Sequence, residues 1–431
     1  MTHSGKTEGV HTPLHLHCFQ TLQVLFSVLL GCTYNTCCAI IGERSKKAVF
    51  LLRFAHLSDL HLGKRVCEFS MLEDQRYILE QVLALLDETP VDGVLLAGDL
   101  YDKPVPPAEA VRLLDWFLTQ LAARQLPVFA VSGNHDSPDR VAFGSALLET
   151  SHVYVSPVFA GAPEPIRLQD AYGPLDVYLL PFLKPAAVRH VWPEEPMESY
   201  NDALACVLRH CTPDPGHRSL LVAHQFVAGA AACDSEEPSV GGVDSVDVSL
   251  FDAFDYVALG HLHSPQKVGR DTVRYCGTPL KYSFSEAAQH KSLTFVELRE
   301  KGQVEITTAA LTPLHDLREL RGSYLELTDR RNYQGTATDD YLHLTLTDEQ
   351  DVPEALARLR VVYPNLMRLD YDNHRTRQDQ QVTAPERVEA LTPLQHFAAF
   401  YELQNNQPMT QQQADFCQQL VEEIWKEEDA L

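Results

Sequence analysis

The chain has 431 residues, of which 45% are hydrophobic and 22% charged, and its formal net charge is −24. That length exceeds one ordinary core and calls for two or three domains, while the apolar share excludes a disordered chain. The acidic balance excludes a protein that coats nucleic acid through bulk positive potential, so any DNA contact needs a local basic rim, bound cations or a partner. Ten cysteines form no CxxC pair or regular framework, as suits a reducing cytosol.

Residues 14 to 32 carry the apolar positions Leu22, Val24, Leu25, Phe26, Val28, Leu29 and Leu30 ahead of Gly31 and Cys32. The run is short for a membrane span, and its basic flank is poor, with Lys6 standing alone among histidines. Residues 1–52 therefore read as a leader outside the folded protein, from a mis-assigned start or a disordered stretch. A true targeting segment is the competing reading. No membrane association is expected.

The run AVFLLRFAHL, residues 48–57, reads as a buried strand. Asp59 and His61 follow it two residues apart, which on period-two geometry points both side chains the same way. A helix over Met71–Leu86 follows, with Ile78, Leu79, Val82, Leu85 and Leu86 as its apolar face. VDGVLLAGD is a second strand ending on Gly98-Asp99. Pro106 and Pro107 open a second helix striped with Val111, Leu114, Phe117, Leu118 and Leu121, and PVFAVSGNHD is a third strand ending on Gly133-Asn134-His135-Asp136. Strand, motif and helix thus repeat three times, predicting a parallel sheet flanked by helices with its loops gathered at the strand ends.

After Asp176, the runs VYLLPFL, SLLVAHQF and YVALGHLH continue the pattern, two of them ending on His224 and on Gly260-His261-Leu262-His263. Between them lies the small-residue, acidic loop AGAAACDSEEPSVGG. VRYCG, SLTFVEL and VEITTAAL are expected to be antiparallel strands that finish the first domain, 53–312. Residues 313–375 read as a small α+β capping domain of β-β-α-β pattern, starting with LRELRGSYLEL as strand. Residues 376–431 read as a linker and a helical tail with more apolar surface than a solvent tail needs: Leu394, Phe397, Phe400, Tyr401 and Leu403, then Phe416, Leu420, Ile424 and Trp425.

Any one of these polar islands has an ordinary explanation: Asp59 as a helix cap, His61 as a core histidine, Gly98-Asp99 as a turn. Packing explains poorly why all five occur, each at the end of an apolar strand. Their carboxylates, amide oxygen and imidazoles suit two divalent ions side by side, and hard or borderline ions such as Mn²⁺ fit that donor set. Asp99 is the natural bridge, because Gly98 lets the backbone bend close and a carboxylate can span two cations. Asn134 adds an oxygen without charge. His135 can stand off the ions and protonate a leaving alkoxide.

The order DLH, GD, GNHD, H and GHLH resembles the calcineurin-like metallophosphoesterases. HLSDLHLGK, GDLYDKPVPP, SVGG and RYCGTPLKYSFSE bring the likeness closer to the DNA double-strand-break repair nucleases of that superfamily. It covers roughly residues 53–375 and weakens in the tail. The resemblance implies an α/β fold: a β-sandwich flanked by helices, with a small α+β capping domain and a helical C-terminal tail. It implies that Asp59, His61, Asp99 and His263 bind one metal and Asp99, Asn134, His224 and His261 the other, with His135 catalytic and Asp136 orienting it. The implied activity is Mn²⁺-dependent, degrading DNA from 3′ ends and nicking single strands or hairpins. The implied assembly is a homodimer within a heterotetramer with an SMC-like ATPase, in the cytoplasm at the nucleoid.

An acidic subunit can act on DNA if the ATPase supplies much of the clamp and if Lys64, Arg65, Lys103 and Arg140, near the motif loops, touch phosphates. The tail would dock on the ATPase, with an internal helix pair as the other reading. Two further functions stay open: a metallophosphatase or cyclic-nucleotide phosphodiesterase on the same fold, and a scaffold with an inactive site.

Overall fold

The computed structural model describes residues 51–231, 233, 236, 245–374, 376, 393–405 and 408–428. The expected leader lies outside the described residues except for Leu51 and Leu52.

Two six-stranded sheets form the first part of the chain. Sheet one uses β1 (Leu52–Leu57), β2 (Gly93–Ala97), β3 (Val128–Val131) and β4 (Val153–Val155), all parallel. The helices α1 (Leu72–Glu88) and α2 (Ala108–Ala123) make the first two crossovers. Sheet two contains β5 (Ile166–Asp170), β6 (Gly173–Leu180), β7 (Arg218–His224), β8 (Tyr256–Gly260), β9 (Gln266–Val268) and β10 (Arg270–Tyr275). Here β6, β7, β8 and β10 run parallel, with β5 and β9 as antiparallel edges. The strands β11 (Ser292–Leu298) and β12 (Val304–Ala310) return to sheet one, where β11 pairs antiparallel with β1. All three closing strands thus have the expected antiparallel neighbour, but VRYCG, antiparallel to β9, also joins β8 in parallel, its register pairing Val257 with Val273.

The strands β1, β2, β3, β7 and β8 are largely continuous apolar runs because both of their faces are covered. Along β1, Leu52 and Phe54 enter the layer between the sheets, while Ala55 and Leu57 meet the outer helices. The same alternation sends Leu95, Phe129, Val131, Leu220, Val222 and Tyr256 inward. Outside, Ile78, Leu79, Val82, Phe117 and Leu121 cover sheet one, and Val188, Leu204 and Val207 cover sheet two. Each fully buried side chain of this kind contributes about 1.5–3 kcal/mol. Both sheets therefore stay rigid up to the strand ends from which the polar loops emerge.

The cap is a three-stranded sheet of β13 (Leu317–Gly322), β14 (Tyr341–Leu346) and β15 (Leu366–Tyr371), all parallel. SYLEL does not extend the first strand. Ser323 and Glu326 form a capping box, each side chain serving the other's backbone N–H, which starts a helix over Tyr324–Thr328. Leu327, Leu342, Leu344, Leu346, Leu359 and Tyr363 make the cap's own core. Buried Asp74, on α1, ties the cap down by accepting from the His315 backbone at 3.1 Å and the Tyr341 hydroxyl at 2.7 Å. In the tail, helices Pro393–Asn405 and Gln411–Glu428 are linked by Gln413 Nε2 donating to the Tyr401 hydroxyl at 2.9 Å. Phe397, Phe400, Phe416 and Leu420 stay exposed on them. Among the described residues, no helix is long and apolar enough to cross a membrane.

Candidate metal centre

The five polar islands meet where the parallel strands of both sheets end. Asp59 and His61 follow β1, Asp99 follows β2, the Asn134-His135 pair follows β3, His224 ends β7, and His261 and His263 follow β8. The alternation argument for Asp59 and His61 does not apply, because β1 stops at Leu57. Both residues have left-handed backbones, with φ of 52° and 44°, held by ladder-like bonds from Asp59 N to Gly98 O (3.0 Å) and from His61 N to Asp99 O (2.9 Å). Two glycines permit this closeness. Gly98 has φ +88°, and a side chain there would strike the His224 ring; at Gly260 a side chain would overlap the Ala97 carbonyl that accepts from His224 Nδ1.

Asp99 is divided between two tasks. Its Oδ1 accepts from the His135 backbone N–H at 2.9 Å, while Oδ2 lies 3.7 Å from His61 Nε2 and 3.4 Å from His224 Nε2. On one side, His61 Nε2 and His263 Nε2 are 3.2 Å apart, with Asp59 beside them. On the other, Asn134 Oδ1 lies 2.8 Å from His224 Nε2 and 3.0 Å from His261 Nδ1. Asp59, His61, Asp99, His224, His261 and His263 are buried, and Asn134 is half-buried. Their lone-pair atoms face one another across distances that a coordinated cation would fill, with Asp99 Oδ2 in the shared position.

The electrostatics call for positive charge. Asp99 is held well below the usual carboxylate range: its burial works the other way, but the charge and hydrogen bond of His224, then His61 and His135, prevail. Burial alone would lower His224, yet the Asp99 charge and hydrogen bond raise it to about 9. His263 likewise rises to about 10 against its burial, through Cys233, Glu286 and Asp59. Burial, reinforced by the Asp99 charge, lifts Asp59 to about 6. Without cations, this cluster draws protons onto two buried imidazoles. The donor set, mixed carboxylate, amide and imidazole, fits divalent ions of the Mn²⁺ type.

His135 adjoins the ligand set, with a ring nitrogen within 4.8 Å of ligand atoms of His61 and Asp99, but its ring is also tied to the second motif loop. Its Nδ1 donates to the Asp102 carbonyl at 3.1 Å, and its ring stands edge-on to His61 with centroids 4.9 Å apart. Asp136 has other work than orienting that ring. Its carboxylate accepts from the backbones of Leu100 (3.1 Å), Tyr101 (2.9 Å) and Gly133 (2.9 Å), locking the second motif loop to the third. Lys64 is partly buried and turned onto Asp102 at 2.8 Å, so it serves the loop more than a ligand outside. Arg65, Lys103 and Arg140 are exposed, with Arg65 also donating to the Glu68 carbonyl.

Several site residues were not anticipated. Gln75, 1% exposed, donates to the His61 carbonyl at 2.7 Å and accepts from Gly63 N at 3.0 Å, and the Tyr282 hydroxyl donates to the Leu60 carbonyl at 2.6 Å. Glu286 and Lys291 pair at 2.6 Å behind His263. Gln75 had a signal: it lies three and four positions before Ile78 and Leu79, on the buried stripe of α1, where a polar residue needs a reason.

Fold and site together define a metal-dependent phosphoesterase of the calcineurin-like class, a hydrolase. Residues 52–265 match the calcineurin-like phosphoesterase family and residues 313–405 the type 5 capsule protein repressor C-terminal domain. The chain is 31% identical over 322 residues to the SbcD subunit of nuclease SbcCD from Staphylococcus epidermidis, covering 74% of this chain and 85% of that one. It belongs to that family, the SbcD nucleases, and its site takes two divalent metal ions. Distant likenesses among solved structures include a dimetal phosphatase from Danio rerio, at 16% identity, 61% and 99% coverage of the two chains and a TM-score of 0.36. Another is TT1561 of Thermus thermophilus, at 14%, 60% and 99%, with a TM-score of 0.34.

Proposed function

We propose that the chain is the Mn²⁺-dependent nuclease subunit of a DNA break-repair complex, degrading double strands from 3′ ends and cutting single strands and hairpins, in partnership with the SMC-like ATPase SbcC. The observation that carries the chemistry is Asp99 Oδ2 standing between His61 Nε2 and His224 Nε2. We assign Asp59, His61, Asp99 and His263 to one ion and Asp99, Asn134, His224 and His261 to the other. Two such ions supply Lewis acidity at the phosphate and a water acidified towards neutral pH.

The chain's own residues do the rest. Asn134 adds an oxygen without adding charge, which keeps the site open to an anionic diester. As water's oxygen joins phosphorus and the ester P–O bond breaks, His135 Nε2 gives a proton to the departing alkoxide, while Nδ1 stays anchored on the Asp102 carbonyl. Asp136 contributes by fixing the loops that carry Asp99 and His135. We assign Arg65, Lys103 and Arg140, all exposed, to backbone phosphates, a role the partly buried Lys64–Asp102 pair does not share.

We divide the chain at 53–312, 313–375 and 376–431 into the sandwich, the cap and the tail. Exposed Phe143 and Leu147, just beyond the third motif, support self-association into a homodimer within a heterotetramer. The exposed Phe397, Phe400 and Phe416 support docking of the tail on the ATPase. A cytoplasmic, nucleoid-associated location goes with this reading.

The test uses end-labelled hairpin DNA with Mn²⁺, comparing the native chain with His135→Asn. The native chain should cut; the variant should keep both metals and lose cleavage by about 10²–10⁴-fold. Hydrolysis of small phosphate esters without any DNA cleavage would overturn the nuclease reading, and loss of a metal from the variant would overturn the role of His135.

A further inference from the structure

The segment 276–291, CGTPLKYSFSEAAQHK, contains no residue assigned above to a metal, yet it supplies two charged groups buried directly behind one. Glu286 is fully buried and Lys291 is 5% exposed. Lys291 Nζ donates to Glu286 Oε2 at 2.6 Å, to the His263 carbonyl at 2.9 Å and to Gln289 at 2.8 Å. Glu286 Oε1 lies 3.4 Å from His263 Nδ1 and also accepts from Tyr282 N at 3.3 Å. The backbone N–H of His263 donates to Glu236 Oε1, and Thr278 N donates to the His263 carbonyl at 3.1 Å. His263 is therefore gripped at its N–H, its carbonyl and its ring.

Burying an ion pair this completely is a costly way to fill space, since apolar residues of similar volume do so as well or better. Its placement gives it a use. A ring whose Nδ1 faces a carboxylate presents Nε2 on its opposite side, and His263 Nε2 is the atom that faces His61 Nε2 at 3.2 Å. A carboxylate behind a metal-binding imidazole fixes its tautomer and rotation and raises its donor strength. Lys291 adds a second constraint through the carbonyl, and its charge offsets that of Glu286, so that the pair itself adds no net charge behind His263.

We propose that Glu286 and Lys291 are positioning residues for the first metal site: Glu286 sets which nitrogen His263 presents, and Lys291 holds Glu286 and the His263 backbone in register. The inference rests on the assignment of His263 as a ligand. It predicts an effect on one of the two sites only, because Asn134, His224 and His261 touch neither residue in the contacts described above.

The experiment is calorimetric titration of Mn²⁺ into the metal-stripped full chain, with thermal melting in chelator. The native chain should bind two ions, and His263→Gln should weaken one of them; failure of either result overturns the ligand assignment itself. Glu286→Gln together with Lys291→Met removes both charges, so no unpaired ion is left in the core. It should melt close to the native chain in chelator while one site weakens by about 10–100-fold and the other holds. Glu286→Asp, which keeps the ion pair but withdraws the carboxylate from the ring, should fall in between and keeps the test open if the double variant does not fold. With the His263 controls behaving as stated, native affinity at both sites in either variant would overturn the proposal, and so would equal weakening of both sites.

Discussion

Replacing Gln75 by leucine tests whether the loop of Asp59 and His61 is held from beneath by a residue that touches no metal. Four polar contacts are affected, and they do not count equally. The Leu60 carbonyl (3.3 Å) and the Tyr282 hydroxyl (3.0 Å) share one Gln75 N–H and keep their own bond at 2.6 Å, and the His61 carbonyl, which takes the other N–H, keeps Lys64 N at 3.0 Å, so both N–H groups are lost without orphaning an acceptor. Each loss costs about 1 kcal/mol. Gly63 N loses the Gln75 acceptor it reaches at 3.0 Å; being partly buried, it adds roughly 1–2 kcal/mol. Leucine returns on the order of 1 kcal/mol by burying more apolar area. The net loss is about 2–3 kcal/mol, or roughly 5–10 °C in the melting of a domain this large. Gln75→Glu should be worse than leucine, because one carboxylate oxygen would face the His61 carbonyl in a buried setting. A loop shift of about 1 Å at His61 should also slow diester hydrolysis by about 10²-fold. Melting in chelator and hydrolysis with saturating Mn²⁺ read the two effects separately. A leucine variant with native melting and native rate, or a glutamate variant more stable than the leucine one, would refute the reasoning.

Other expectations follow from the same geometry. Gly260→Ala places a methyl group on the Ala97 carbonyl and should cost at least about 1–3 kcal/mol and abolish metal binding, read by melting with and without Mn²⁺. In the metal-free chain, His224 and His263 titrate at about 9 and about 10, above the unfolded value, so the stability they lend is complete below about pH 6.5 and lost as pH rises through 9 to 10. Metal-free protein should therefore melt progressively lower over that window and the Mn²⁺ form should not, while binding at pH 7.5 should release about two protons. Deleting residues 385–431 should abolish ATPase binding and spare hydrolysis of a model diester; retained complex formation would remove the docking role.

The candidate ligands were legible because they stand at the ends of runs that are apolar on both faces, and packing gives no reason for a carboxylate or imidazole there. Their backbone was not: nothing in the order Ser58-Asp59-Leu60-His61 shows that the chain leaves the strand at Leu57 and turns left-handed, since the pairing with Gly98 and Asp99 that holds it is long-range. The cap was misread where a local signal was present, the Ser323…Glu326 spacing that starts a helix inside an apparently strand-like run. The resemblance assigns Asp136 to orienting His135, whereas its carboxylate reaches back to Leu100 and Tyr101. Glu286 and Lys291 stood within the segment that carried the family likeness, but their role depends on where His263 folds against them.

Anomalous diffraction from crystals of the full chain grown with Mn²⁺ tests the two-ion centre most directly. Two peaks about 3.5–4 Å apart, flanking Asp99 Oδ2 with His61 and His263 on one side and His224 and His261 on the other, are the predicted result. A single peak, or a pair that leaves Asp99 out, would contradict it.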